Sequence, residues 1–171
     1  MKENEIKIGD QTWTSKNLDL DTYRNGDEIP QVKDKEEWAN LTTGAWCYYE
    51  NKTSNGTTYG KLYNWYAVND PRGLAPKGYH IPTDAEWTIL TDKLGDKEGA
   101  KMKSTFVMLP GGYRTCYGNF ENVGAFGYWW SSSEYNSYTA WTRWLNYINW
   151  HWVIIDNKGK LFGLSVRCLR D

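Results

Sequence analysis

Large apolar residues alternate with polar ones between Trp141 and Ile155, and neither proline nor glycine interrupts the run. A period of two predicts a β-strand, with odd positions on one face and even positions on the other. The odd face would carry Trp141, Arg143, Leu145 and Tyr147, and the even face Thr142, Trp144 and Ile148, continued by Trp150 and Trp152. Bulk on both faces fits a strand that is buried on both sides. It also fits one core face and one exposed aromatic binding surface, although composition alone favours the buried strand.

Two stretches have the apolar spacing of helices. Thr83 and Glu86 form a capping box, which predicts a helix that runs to about Leu94, ends at Gly95 and buries Trp87. A second helix is predicted from Gly60 to Asp70, where Leu62, Trp65, Tyr66 and Asn69 fall at helical spacing.

Shorter signals fill the first half of the chain. Residues 6–13 indicate a hairpin with its turn at Gly9-Asp10, and Asp34 indicates the cap of a short helix that ends at Gly44. Residues 45–49 predict a strand, which is followed by a polar loop from Glu50 to Tyr59.

Length and composition exclude some classes of protein. The 171 residues suffice for one domain with a single core. Twenty basic and twenty-one acidic residues give a formal charge of -1, which lacks the positive charge of a general nucleic-acid binder. No apolar run is long enough for a membrane span, and residues 1–5 do not begin a signal peptide. Aromatic residues make up 16% of the chain, a composition that also suits interfaces.

Candidate chemistry is sparse. Of the two histidines, His80 lies beside the capping box and indicates a structural residue, whereas His151 would suit recognition. The cysteines Cys47, Cys116 and Cys168 match no zinc or redox spacing. We therefore expect no catalytic residues, no metal ligands and no cofactor, and hence no enzyme activity.

The motifs of the chain resemble those of a known family. Residues 127–134, 140–147 and 163–168 are similar to the C-terminal signature of the Fibrobacter succinogenes major paralogous domain family, and residues 78–87 resemble a motif of formylglycine-generating enzymes. The resemblance implies a single α+β domain over residues 1–171 with the C-type lectin fold, in which two helices pack on short antiparallel sheets with extensive irregular loops.

Several members of that family are targets of diversity-generating retroelements, which rewrite adenines in a C-terminal stretch. The resemblance therefore implies a variable region at about residues 135–162. The ligand-binding positions expected there are Tyr138, Thr139, Thr142, Trp144, Ile148, Trp150, Trp152, Ile154 and Ile155. The even face described above should then be largely exposed, and the residues of the odd face should be buried or anchored. Rewriting an asparagine codon can yield the threonine, tyrosine and isoleucine residues but not tryptophan, so the tryptophans need another template codon or are constant.

Related activities are not expected. The calcium-binding tripeptides of true C-type lectins are absent. Formylglycine-generating relatives use two reactive cysteines, whereas the closing motif holds only Cys168. An oxidase-like enzyme would rest on fold analogy alone.

Two hypotheses remain. The first is a non-enzymatic receptor-binding or surface-display protein that binds a protein or glycan on a cell or virion surface through a diversified C-terminal face. The second is an undiversified extracellular module, carbohydrate-associated or structural. Both place the protein outside the cell, on a cell surface or on a virion.

Overall fold

The computed structural model describes residues 5–94, 108–148 and 153–171. Their helices are α1 Lys35–Ala39, α2 Thr53–Tyr59, α3 Trp65–Val68 and α4 Asp84–Leu94. Their strands are β1 Glu5–Ile8, β2 Gln11–Thr14, β3 Trp46–Cys47, β4 Leu62–Tyr63, β5 Tyr79–His80, β6 Gly111–Arg114, β7 Phe120–Val123, β8 Phe126–Glu134, β9 Thr139–Asn146, β10 Val153–Gly159 and β11 Leu169–Arg170. The expected mixed α+β class agrees with these elements.

The strands form sheets that join distant parts of the sequence. One sheet has the order β1-β2-β11-β5, so that the last strand lies between the opening hairpin and β5. A second sheet has the order β10-β9-β8-β6-β7, in which β8, β9 and β10 are antiparallel neighbours and β6 runs parallel to β8. A two-stranded ladder joins β3 to β4.

The opening hairpin and the start of α4 form as the sequence predicts. Gly9 lies between β1 and β2 with φ +59°, a conformation that glycine adopts at little cost. Thr83 Oγ1 accepts a hydrogen bond from the Glu86 amide at 3.3 Å, and the Glu86 carboxylate accepts one from the Thr83 amide at 2.8 Å. The predicted capping box is confirmed, and Trp87 is fully buried. The predicted end at Gly95 lies outside the described residues.

The helix predicted from Gly60 to Asp70 is wrong. Only the four residues of α3 are helical, because Tyr63 pairs its backbone with Leu164 through N–O distances of 2.9 and 3.0 Å. Asn64 then starts α3 by accepting a hydrogen bond from the Ala67 amide at 3.1 Å. The spacing of the large residues therefore reflects a strand followed by one short helical turn.

The loop predicted from Glu50 to Tyr59 is also wrong, since it contains α2. Its residues are poor helix formers, so the helix depends on contacts outside itself. Asn55 Nδ2 donates a hydrogen bond to the Tyr49 carbonyl at 2.9 Å. Gly56 lets the ring of Tyr48 approach so closely that an added Cβ would lie 2.1 Å from it.

The short helix after Asp34 forms, but it ends at Ala39 and not at Gly44. The Asp34 carboxylate accepts hydrogen bonds from the amides of Glu36 and Glu37 at 2.9 and 2.8 Å, as an N-cap does. The buried side chain of this helix is Trp38.

Candidate ligand-binding face

The two faces of β8 and β9 have different surroundings. Gly127, Trp129, Arg143 and Leu145 belong to the odd face, which packs against α4. Arg143 is fully buried, and its guanidinium lies 2.6 Å from the Asp84 carboxylate and 3.1 Å from Thr88 Oγ1. The predicted burial of Arg143 and Leu145 is confirmed, whereas Trp141 and Tyr147, which were predicted to be buried or anchored with them, are half-buried.

The even face carries a set of neighbouring aromatic rings. In register, Tyr128 of β8 lies opposite Trp144 of β9, which lies opposite Ile154 of β10. We call the five rings of this face the aromatic row: Tyr113, Phe126, Tyr128, Trp144 and Phe162. Tyr128 is buried at its centre, and the other four rings are half-buried.

Ring geometry shows how closely the row is packed. The ring of Tyr128 lies 6.0 Å from that of Trp144 and 6.3 Å from that of Phe126, with interplanar angles of 27° and 23°. Tyr113 meets Tyr128 edge-on at 4.8 Å and stacks on Phe162 at 6.0 Å. Such offset and edge-on pairs are the favoured aromatic arrangements. The rings therefore support one another, and the row is an ordered surface.

Carboxylates flank the row on two strands. Glu121 of β7 accepts a hydrogen bond from the Tyr113 hydroxyl at 2.6 Å. Asp156 of β10 lies 2.8 Å from Lys158 Nζ and also accepts a hydrogen bond from the Asn157 amide. Burial raises the pKa of the Tyr128 hydroxyl, and the negative charges of Asp156 and Glu121 raise it further. The Tyr128 hydroxyl is thus a neutral donor in an electronegative setting.

The structure places the predicted site residues on both faces of the sheet and at the ends of its strands. Trp144 and Ile154 lie together on the even face, whereas Ile155 lies on the odd face and is 50% exposed. Tyr138 and Thr139 lie where β8 turns into β9, with Tyr138 81% exposed. Ile148 follows β9 at its other end and is 65% exposed. Trp150 and Trp152 lie outside the described residues.

One exposure prediction is wrong. Thr142 points to the even face but is completely buried. Its register neighbours are Trp130 on β8 and Asp156 on β10, and a short side chain between two larger ones is covered by them. Trp144, which was also expected to be largely exposed, is half-buried by Phe126 and Tyr128.

Sequence reasoning missed four residues of the row: Tyr113, Phe126, Tyr128 and Phe162. Tyr128 lies within residues 127–134, which resemble the family signature and precede the expected variable region. The period of two in β8 separates Phe126 and Tyr128 from Gly127 and Trp129, and could have placed them on one face. No pattern within β6 alone could place Tyr113 beside Tyr128, because that contact depends on the parallel pairing of β6 with β8.

The comparison with family models gives a match over most of the chain. The model of the Fibrobacter succinogenes major domain matches residues 6–170. The chain belongs to this family. A search of the curated proteins found no match.

In this Fibrobacter succinogenes major domain, the motifs that carried the resemblance form the core. Trp129 and Trp130 are fully buried, and their indole N–H groups donate to Asn17 Oδ1 and to the Tyr63 carbonyl at 2.9 and 2.8 Å. Arg167 donates to the Thr14 carbonyl at 2.7 Å and to Asn17 Oδ1 at 2.9 Å. The closing motif thereby ties the end of the domain to its opening hairpin.

His80 occupies a structural position in the family domain. Its Nδ1 lies 2.8 Å from the Asp171 carboxylate and its Nε2 lies 2.9 Å from the Glu86 carboxylate. Burial opposes the charged imidazole, but the hydrogen bonds to Asp171 and Glu86 outweigh this effect and raise its pKa. Both ring nitrogens form contacts, so His80 links β5 to α4 and to Asp171. We call this arrangement the His80 clamp.

Two of the three cysteines, Cys47 and Cys168, are buried. Burial raises the pKa of both Cys47 and Cys168 to about 12, which keeps these thiols protonated near neutral pH. Among the residues that the structure describes, no group of three or more His, Cys, Asp or Glu side chains could hold a metal ion. Within the same residues, no helix is long and apolar enough to cross a membrane.

Proposed function

We propose that this protein is a non-enzymatic ligand-binding protein, a receptor-binding or surface-display module, and that it binds through the aromatic row. We further propose that the domain has the C-type lectin fold and acts outside the cell, on a cell surface or on a virion. The expected ligand is a protein or a glycan. The proposal separates a constant core from a binding surface on the opposite side of the same sheet.

The observation that carries this proposal is the aromatic row, in which four half-buried rings surround the buried Tyr128. Tyrosine and tryptophan side chains provide large contact areas with little loss of conformational entropy, and they dominate many binding interfaces. The odd face holds the same strands in place through the Arg143–Asp84 ion pair and the buried Leu145. The exposed side chains beside the row, such as Tyr138 and Ile148, can therefore change without loss of this support.

Diversification by a retroelement is part of the proposal. Exposed positions such as Tyr138, Ile148 and Ile155 could vary at little cost in stability, since surface substitutions typically change it by less than about 0.5 kcal/mol. Thr142 is a poorer candidate because substitutions there act on buried volume.

The DNA beside the gene tests diversification directly. We expect a reverse transcriptase gene and a near-copy of the segment that encodes residues 135–170, with differences only at adenines. A neighbourhood without either would contradict diversification and would leave the binding proposal standing.

An undiversified module is the second candidate, and one observation favours it. Tyr113, Phe126 and Tyr128 lie before the expected variable region of about 135–162, so most of the aromatic row would be constant. A constant row is what a dedicated site for one ligand, such as a carbohydrate or a structural partner, requires. Identical codons across many isolates at Trp144 and Ile154 would support this candidate.

Binding is tested on arrays of immobilised glycans and of cell-surface proteins. We expect wild-type signals that fall at least about tenfold with Trp144→Ala, since loss of an interface hot spot typically costs about 2 kcal/mol or more. Ile89→Ser is the matched control, because it removes an exposed apolar side chain from α4, which packs on the opposite face of the sheet. Equal losses for the two variants, or no wild-type signal on either array, would contradict the proposal.

A further inference from the structure

Charge is unbalanced along the aromatic row. The described acidic side chains beside it are Glu121 and Asp156, and Lys158 lies on the same face. Lys160, which follows β10, is paired with Glu134. Lys158 is committed to Asp156, since its Nζ lies 2.8 Å from Oδ2. One negative charge, that of Glu121, therefore has no basic partner among the described residues.

Glu121 also retains hydrogen-bonding capacity. One of its oxygens accepts the Tyr113 hydroxyl proton at 2.6 Å, and its side chain is otherwise exposed. A carboxylate offers about four lone-pair sites, so a second donor can bind without displacing Tyr113. In Asp156, by contrast, each oxygen already accepts a hydrogen bond.

The same protein satisfies similar combinations with its own residues, including those at Arg72 and Lys61. Arg72 lies over the Tyr23 ring at 4.1 Å while its guanidinium binds Asp70 at 2.8 Å and Asp27 at 3.1 Å. Lys61 likewise lies 4.4 Å from the ring centre of Trp46 and 2.8 Å from the Asp19 carboxylate. Each combination joins an aromatic ring, a carboxylate and a cation.

At the Glu121 end of the row, the ring and the carboxylate are present and the cation is absent among the described residues. A guanidinium suits this place better than an ammonium, because it is planar, stacks on aromatic rings and forms two parallel hydrogen bonds with a carboxylate.

We propose that the Glu121 end of the aromatic row binds an arginine side chain of a protein ligand. This inference rests on the proposed function and specifies its ligand chemistry. The aliphatic stem of the arginine would contact the half-buried rings, and its guanidinium would bind Glu121. The row would then be selective for basic protein surfaces.

The test is a titration of the full chain with N-acetyl-arginine amide, followed by the NMR resonances of the Tyr113, Tyr128 and Trp144 rings. N-acetyl-citrulline amide is the matched probe, because it has nearly the same shape without the charge. We expect saturable shifts with the arginine probe, at least about fivefold weaker binding of the citrulline probe, and weaker arginine binding at higher salt.

Two variants localise the effect. Glu121→Gln keeps an acceptor for the Tyr113 hydroxyl but removes the charge, and we expect it to reduce arginine binding to the citrulline level. Asp92→Asn removes the same charge from α4, which packs on the opposite face of the sheet, and we expect no change. Because both probes are also compared on the wild-type protein, the arginine site is tested even if Glu121→Gln is poorly folded.

Other outcomes overturn the inference. Equal binding of the two probes, salt-independent binding, or no saturable shift with arginine would each exclude a guanidinium site. A methyl glucoside that shifts the same rings when arginine does not would show a glycan site, so the inference would fail while the proposed function stood.

Discussion

Thr142 buries a hydroxyl group that has no hydrogen-bond partner among the described residues. Leaving such a group unsatisfied costs about 1–3 kcal/mol. The position is enclosed between Trp130 and Asp156, so a substitution must also keep its volume. These two conditions together favour valine.

We expect Thr142→Val to raise the free energy of unfolding by about 1 kcal/mol, because the methyl group replaces an unsatisfied hydroxyl at nearly constant volume. Chemical denaturation measures the change. Thr91→Val is a useful comparison, since the Thr91 hydroxyl donates to the Thr88 carbonyl at 2.9 Å and its loss should not stabilise. A destabilised Thr142→Val would mean that the hydroxyl is satisfied in solution.

At the scale of single elements, the sequence predicted those parts of the fold that local chemistry determines. The hairpin at Gly9, the cap at Asp34 and the capping box at Thr83 each depend on residues within a few positions of one another. The elements that were predicted wrongly depend on distant partners. Tyr63 takes its strand conformation from Leu164, and α2 is stabilised by contacts with Tyr48 and Tyr49.

In the candidate site, too, local patterns predicted some features, and the others depend on distant partners. Alternation within β9 correctly assigned Arg143 and Leu145 to the core. It could not show that Tyr128 shields Trp144, since that contact is set by the register between β8 and β9. Nor could it show that β6 brings Tyr113 to the same surface.

The ring contacts give the aromatic row a structural role besides the proposed one in binding. We expect Trp144→Ser to lower the free energy of unfolding by about 2 kcal/mol, because the half-buried indole loses its contacts with Phe126 and Tyr128. Ile155→Ser should cost less than about 1 kcal/mol, since half of that side chain is exposed. Denaturant titrations of the two variants measure the difference. A Trp144 variant as stable as wild type would show that the rings do not support one another.

The His80 clamp joins β5 to α4 and to Asp171, and it predicts a pH dependence of stability. The folded-state pKa of His80 is raised above its ordinary value of 6.5, so its stabilising contribution is complete below about pH 6.5 and is lost as the pH rises through the folded-state pKa. The pKa of Glu86 is lowered, and its contribution disappears only at more acidic pH, below its usual value of 4.5.

We therefore expect the stability difference between wild type and His80→Ala to be largest near pH 6 and to shrink towards about pH 8.5. Thermal melts of both proteins across this range measure it. Because the imidazole is partly exposed, the effect should be modest and should weaken with salt. A difference that grows with rising pH would contradict the raised pKa.

On the scale of the whole molecule, the two ends of the sequence complete one sheet. Leu169 of β11 pairs with Trp13 of β2 on one side and with His80 of β5 on the other. Its side chain is buried in the cluster that contains Trp13, Trp87 and Trp129. The core that supports β8 and β9 is therefore incomplete until the last residues are in place.

This arrangement predicts that shortening the chain after Val166 prevents folding, although the aromatic row lies entirely before that point. The truncation removes the hydrogen bonds of Arg167 to Asn17 and Thr14, the β11 pairing and the buried Leu169. Losing one large buried aliphatic side chain alone costs about 2–5 kcal/mol, which is comparable with the stability of many domains. Circular dichroism and amide NMR dispersion should show an unfolded chain.

Removal of Asp171 alone should leave a folded protein that has lost only the contacts of that residue, namely the one with His80 and the backbone hydrogen bond to Gly78. A folded chain that ends at Val166 would mean that the five-stranded sheet and α4 are stable without the strand that joins the two ends.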